Sequence, residues 1–280
     1  MIAPKNTATP NLVSIVIPCY RGERYLAKAI ESCLEQTHRD LEVIVVDDCS
    51  PTPDAAIAEA FAAKDSRVRV VHRAENGMIS RALNSGYEVA RGEFHSRLAQ
   101  DDLFRADAVA RLVATLRANP QAGLTYADMQ LVDAEGKVLQ LMPAEQPERA
   151  LFPANRVGLC VMWPAAVYRA VGPFDPRFDL SEDFEFFLRI SRRYPLVKCE
   201  GEAPFFFRYH AAQGSVTSER RHDLARARAH VAHAKALLRT DPANPRRWKQ
   251  LLFAQGRLAA TRSGLYGRIK YDRKSAAPAR

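Results

Sequence analysis

Two pairs of neighbouring acids carry the chemistry open to this chain. Asp101 and Asp102 end the short apolar run Phe94–Leu98, just ahead of a helix. In an open α/β sheet ligands collect outside the carboxyl ends of the strands, so acids at that point face a crevice. Adjacent carboxylates repel each other unless a cation or a donor-rich ligand lies between them. Hard divalent ions such as Mg²⁺ are held by one or two carboxylates together with substrate phosphates, which makes the pair half of a metal site for a phosphorylated ligand. The structural alternative is that both aspartates only cap the helix starting near Arg105. The second pair, Glu182 and Asp183, follows Ser181, which reads as a helix cap. There the acids occupy a first turn, at the positive end of the helix dipole. His210, after the apolar stretch Ala203–Tyr209 and before a loop holding Gly214 and Ser215, is a candidate contact for the phosphates of such a ligand, with a structural or surface histidine as the alternative. Trp163 and the cluster Phe205-Phe206-Phe207 are candidates for an acceptor site, with core packing as the alternative.

The elements that must position these residues alternate. Leu12–Ile17 is a continuous apolar run closed by Pro18, as suits a strand buried on both faces of a parallel sheet. Helical spacing follows over Tyr25–Thr37, and a second strand, Leu41–Val46, runs into Asp47-Asp48. A helix from Pro53, a strand at Arg67–His72, a helix from Ile79 to Arg91 and the strand Phe94–Leu98 complete a doubly wound half. Beyond it stand a helix over Arg105–Asn119, a hairpin of Leu124–Val132 with Val138–Met142, an irregular stretch over Pro143–Arg156 and the acidic helix at Glu182. From Arg220 only helices are predicted, with Leu224, Ala227, Val231, Ala234 and Leu238 on one face, and Trp248, Leu251, Leu252, Gln255 and Leu258 on the next. The expected organisation is a tail over 1–11, a nucleotide-binding half over 12–102, an acceptor and catalytic half over 103–219, a basic helical appendage over 220–274 and a disordered end over 275–280.

Composition narrows the class. Apolar residues make up 47% and charged residues 26%, ordinary for a soluble domain. No apolar run approaches a membrane span and no signal segment is visible, so a cytoplasmic location is expected. Five scattered cysteines without a C-x-x-C pair argue against a zinc site or a disulfide framework. The net charge of +9 is unevenly spread: residues 220–280 hold 16 of the 41 Lys/Arg and three of the 32 acids, so they carry +13 and the remainder −4. Such a tail is either a solvated helical face or a surface for anionic inner-leaflet lipid, where each cation contributes about 1 kcal/mol. Nucleic acid is not expected, since no binding motif accompanies the charge.

Four motifs stand in order: VSIVIPCY with Glu23 and Tyr25, LEVIVVDDCS, Gln100-Asp101-Asp102, and SEDFEFFLRI. Together they resemble the inverting family-2 glycosyltransferases of the GT-A fold, over roughly residues 12–215. The resemblance implies a Rossmann-like, mostly parallel doubly wound sheet followed by the helical hairpin. It implies a nucleotide-sugar donor, UDP-sugar favoured, a Mn²⁺ or Mg²⁺ cofactor, and a glycan or lipid-linked acceptor in bacterial surface polysaccharide, capsule or lipopolysaccharide synthesis. By the same resemblance Pro18, Cys19 and Tyr20 line the base and ribose pocket, Glu23 belongs to that first motif, and Asp48 accepts a base N–H. Arg81 supports the base or phosphates, Asp102 binds the metal, Asp101 takes the ribose or metal side, and Asp183 is the catalytic base with Glu182 beside it. The sequence departs from the family at Ala99-Gln100, where an acid is common, at Cys19, where Thr or Ser is common, and at Arg21, where Asn is common. Two other classes compete. A sugar nucleotidyltransferase would need a Gly-rich phosphate loop, which Pro18–Gly22 is not. A non-catalytic scaffold docked on membrane would have no use for Asp183.

Overall fold

β1 (Thr9–Cys19) and β2 (Leu41–Asp47) are apolar on both faces because both faces are covered. Val13, Ile15, Ile17, Val43 and Val45 pack under α1 (Leu26–Leu34) and α4 (Ala108–Ala118), while Val16, Ile44 and Val46 point the other way, under α3 (Met78–Val89). Each such side chain, fully buried, contributes about 1.5–3 kcal/mol. Gly86 lets α3 sit directly on β1, since a Cβ there would lie 2.4 Å from Val16 Cγ1.

The computed structural model describes residues 8–147, 150–151, 155–210 and 219–263. Residues 1–7 of the expected tail, the loop with Gly214 and Ser215, residues 264–274 of the basic appendage and the end over 275–280 lie outside the described residues, as do 148–149 and 152–154 of the irregular stretch.

The main sheet has seven strands in the order β10-β6-β9-β4-β1-β2-β3, with β3 at Val68–His72, β4 at Gly92–Arg97, β6 at Leu124–Ala127, β9 at Val161–Pro164 and β10 at Leu196–Cys199. β9 alone runs antiparallel to its neighbours. α2 (Asp54–Ala62) and α5 (Ala165–Val171) complete the helices around it. A smaller sheet, ordered β5-β11-β7-β8, combines Leu103–Phe104, Phe205–Arg208, Met129–Val132 and Val138–Met142 and covers the carboxyl-end crevice.

Three expectations change here. Leu124–Val132 is two strands in two sheets, broken at Asp128, whose carboxylate pairs with Lys198 (2.9 Å) and accepts the Ala144 amide (2.8 Å). The helix expected from Arg105 begins at Ala108, because Leu103 and Phe104 pair with β11. Ser181 precedes α6 (Glu182–Ser191) without capping it: its hydroxyl donates to the carbonyls of Leu180 (2.6 Å) and His222 (3.3 Å).

α7 (Glu219–Thr240) and α8 (Pro245–Arg262) form the helical hairpin, closed by Val231, Ala234, Leu238, Leu251 and Ala254. Trp248 and Leu252, expected on that inner face, turn outward, 49% and 65% exposed. α7 also packs on α6, with Ala229 in the shared core and the His230 ring edge-on to Phe184 at 4.7 Å.

Candidate active site

The carboxyl ends of β1, β2 and β4 open into one cavity of about 710 Å³. One end is lined by Pro18, Cys19, Tyr20, Asp48, Asn76, Met78, Ile79 and Ala82, the other by Met129, Met142, Asn155, Leu159, Glu182 and Asp183. Ala99, Gln100, Asp101 and Asp102 also line it.

The first motif is locked before any ligand arrives. The Gln100 side chain accepts from the Tyr20 amide (2.8 Å) and donates back to the Tyr20 carbonyl (3.1 Å), while buried Asp54 accepts the Gly22 amide on both oxygens (3.1 and 3.0 Å). Gln100, where the family commonly has an acid nearby, therefore fastens β1 to the acid loop. Cys19 is buried, and burial followed by the charges of Asp54, Asp47 and Asp48 pushes its thiol far up, so it stays a neutral wall residue. All five cysteines are free. Asp48 accepts from Arg73 Nε (2.7 Å) and the Gly77 amide (3.0 Å), which fixes its carboxylate at the cavity edge. Glu23 and Arg81 are exposed and outside the lining; α3 presents Met78, Ile79 and Ala82 instead.

The two central acids have different surroundings. Asp102 is completely buried; its Oδ1 accepts the Arg208 amide (2.9 Å) and its Oδ2 has no hydrogen-bond partner. Burial first, then the charge of Asp101, holds its carboxyl well above the ordinary range. Asp101 is partly open and meets His210 Nε2 at 2.9 Å through Oδ2. The His210 ring lies against Tyr25, centroids 5.1 Å apart. Arg208 clasps this loop by donating to the Asp101, Asp133 and Ala134 carbonyls (2.9, 3.2 and 2.9 Å). Asp102, expected as the metal ligand, is turned inward onto the Arg208 amide, and Asp101, paired with His210, is the more open of the two acids. The Asp101 carboxylate and the His210 imidazole are a donor pair that fits part of a divalent ion's shell, the rest of which phosphate oxygens and water would supply. Among the described residues no group of three or more His, Cys, Asp or Glu is placed to hold a metal ion.

Asp183, in the first turn of α6, accepts its neighbour Phe184's amide on Oδ1 (2.6 Å) and Asn155 Nδ2 on Oδ2 (3.3 Å). Glu182 turns away into a buried ion pair with Arg97 of β4 (Nη1 to Oε1, 2.8 Å). Burial raises the Glu182 carboxyl, against the pull of the Arg97 cation.

Trp163 is not an acceptor-site residue. It is fully buried in an aromatic core with Tyr87, Phe174 and Phe186, centroids 5.6, 6.2 and 5.1 Å away. His95 stacks on Tyr87 in that core (4.9 Å), where burial pushes its pKa down to about 4 and keeps it neutral. Of the three clustered phenylalanines, Phe205 is core and Phe207 lines the cavity. The sequence reading missed Arg97, Asn155 and the α7 residues His222 and Arg226, which line the same cavity as Asp183. Arg97 alone left a signal, as a charge inside an apolar strand.

A mostly parallel sheet with a large crevice at its carboxyl ends and a covering second sheet is the GT-A architecture. The glycosyl transferase family 2 model matches residues 14–153, half of the chain. The chain belongs to glycosyl transferase family 2. It is 31% identical over 213 residues to protein y4gI of Sinorhizobium fredii, covering 75% of this chain and 23% of that one. To a glycosyltransferase of Rickettsia felis it is 29% identical over 222 residues, 76% of this chain and 36% of the relative. The chain therefore spans about a quarter to a third of the length of these relatives. Its fold is similar to that of S. aureus TarS 1-349 in complex with UDP-GlcNAc (TM-score 0.69, 18% identity, 88% of this chain and 72% of that one). It is also similar to the mannosyltransferase PcManGT from Pyrobaculum calidifontis in complex with GDP-Man and Mn²⁺ (TM-score 0.62, 19% identity, 99% and 79%).

Proposed function

We propose that the chain is a metal-dependent, inverting glycosyltransferase that moves a sugar from a nucleoside-diphosphate donor, UDP-sugar favoured, to a hydroxyl of a glycan or lipid-linked acceptor in surface polysaccharide synthesis. One observation carries the reading: a single cavity is lined by Asp48, Asp101 and Asp183, acids from three separate motifs. The nucleotide-sugar complexes of the similar structures support the donor class. Pro18–Gly22 holds its conformation through Gln100 and Asp54 and is no phosphate-wrapping loop, which disfavours the nucleotidyltransferase alternative.

Asp48 and Tyr20 hold the base and ribose end of the donor. Asp101 and His210 hold Mn²⁺ or Mg²⁺; when bound, the ion neutralises charge on the departing diphosphate as a Lewis acid. Asp183 takes the acceptor hydroxyl proton while that oxygen bonds to the anomeric carbon and the diphosphate oxygen leaves with the electron pair of the broken bond. Attack from the face opposite the leaving group inverts the anomeric centre. Proton NMR of the first product tests this: an α-linked donor is expected to give a β-linked product, and an α-linked product overturns the inverting mechanism.

The outer face of α8 supports docking on anionic lipid. Trp248, Leu252 and Phe253 are 49%, 65% and 49% exposed, beside exposed Arg246 and Lys249. No helix among the described residues is long and apolar enough to cross a membrane, so this contact is interfacial, with aromatic insertion and basic attraction acting together. Changing all three apolar residues to serine is expected to weaken binding to phosphatidylglycerol vesicles by about tenfold or more, with wild type ignoring phosphatidylcholine. Undiminished binding by the triple variant excludes this face.

A further inference from the structure

Arg97 ends β4 in register with Val16 of β1, at the carboxyl edge of the parallel core. A guanidinium there is unusual, since 4% of the residue is exposed and its strand neighbours are committed to the core. Burial pulls its pKa down, but Glu182 and Asp183 more than offset this and hold it above the ordinary value. Its Nη1 donates to Glu182 Oε1 at 2.8 Å, and its charge also acts on Asp102, where it favours the carboxylate. One buried cation therefore stands among acids from both motifs, Asp102 on the donor side and Glu182 with Asp183 on the acceptor side.

A buried ion pair is weak evidence for stability, because desolvating both groups offsets most of their attraction, and an apolar pair of the same volume often does as well. What the pair supplies is a fixed link. β4 continues into the loop that carries Asp101, and α6 begins with Glu182 and Asp183, so the Arg97–Glu182 contact joins the strand leading to the diphosphate end to the helix bearing the base. In-line transfer needs those two ends held at a set separation. The same cation also interacts electrostatically with Asp183, the acid next to Glu182.

We infer that Arg97 is a positioning residue: through Glu182 it fixes the first turn of α6 against β4 and supplies the positive field in which Asp183 acts as base. The inference rests on the base assignment made above. Among the described residues, the charged and titratable groups that share the cavity lining with Asp183 are Glu182 on its own helix, Arg97 on β4, Asp48, Asp101 and Asp102 at the strand ends, and His222 and Arg226 on α7. Arg97 and Glu182 are the two whose removal has opposite electrostatic effects without touching donor contacts.

The test is the kcat–pH profile at saturating donor, acceptor and Mn²⁺ for wild type, Arg97→Met, Glu182→Gln and Asp183→Asn, with nucleotide affinity measured alongside. Arg97→Met is expected to move the acid limb up by about one pH unit or more and to lower the plateau kcat by about tenfold, with nucleotide affinity within about threefold of wild type. Glu182→Gln is expected to move the limb down. A purely structural pair would lower kcat in both variants without moving the limb in opposite directions, and that result overturns the inference. Should Arg97→Met not fold, the near-isosteric Glu182→Gln decides alone: an unmoved limb overturns the link. A limb that survives in Asp183→Asn overturns the base assignment itself; a limb lost there but unmoved in the other two variants overturns only the role of Arg97.

Discussion

Asp183→Asn is expected to lower kcat by about 10²–10⁴-fold, the range a positioned general base supplies, while leaving nucleoside-diphosphate affinity unchanged. Asn keeps the shape of the side chain and one acceptor oxygen, so the Phe184 amide can still be capped, while the second acceptor, which takes the Asn155 Nδ2 donor, is lost together with the base. Asp183 lines the cavity, and Glu182 beside it is fully engaged with Arg97. Glu182, the adjacent carboxylate, is therefore not free to replace it. Steady-state kinetics with a saturating acceptor, paired with nucleotide binding to the same preparation, give the split directly. A variant that turns over at the wild-type rate removes Asp183 from the mechanism.

Asp101→Ala is expected to abolish most of the metal-dependent part of nucleotide binding, by at least the roughly 10–100-fold that loss of even an outer-shell partner costs a metal site. His210→Ala is expected to weaken the same metal-dependent part, because His210 meets Asp101 at 2.9 Å and would be the second donor in the proposed site. Asp102→Asn is expected to act differently. Its Oδ1 can still accept the Arg208 amide, so the metal-dependent gain persists while the loop is perturbed. Titrations with and without Mn²⁺ separate these cases. Equal loss of the metal-dependent gain in Asp102→Asn and Asp101→Ala would return the ligand role to Asp102.

Much of the frame was legible because burial on both faces leaves a plain trace. β1 and β2 carry apolar runs that stop at the sheet's carboxyl edge, and α1, α3 and α4 keep one apolar face each, whereas β4 is buried but mostly polar in sequence. β9 left no such trace: Val161–Pro164 is four residues long, between an irregular stretch and a helix, too brief for any periodicity. β6 and β7 merged on reading because an apolar run does not reveal that Asp128 turns it from one sheet into another.

The site was legible as motifs but not as directions. Adjacent acids are equivalent in sequence, and only the Arg208 amide, from 106 residues further on, decides which of Asp101 and Asp102 faces inward. Trp163 is ambiguous for the same reason, since a large aromatic serves a core or a pocket equally well and its neighbours decide. The basic helices read as a separate appendage because charge dominates their pattern. In the structure α7 brings His222 and Arg226 to the cavity, so residues well beyond the stretch matched by the family model complete its lining.

The most direct measurement is a calorimetric titration of the protein with UDP, GDP and dTDP, each with and without Mn²⁺. Binding of one of the three, strengthened at least about tenfold by the ion, is the predicted result and would establish the donor's nucleotide. Failure of all three to bind, with and without Mn²⁺, would contradict the account of this cavity as the seat of a metal-dependent sugar transfer.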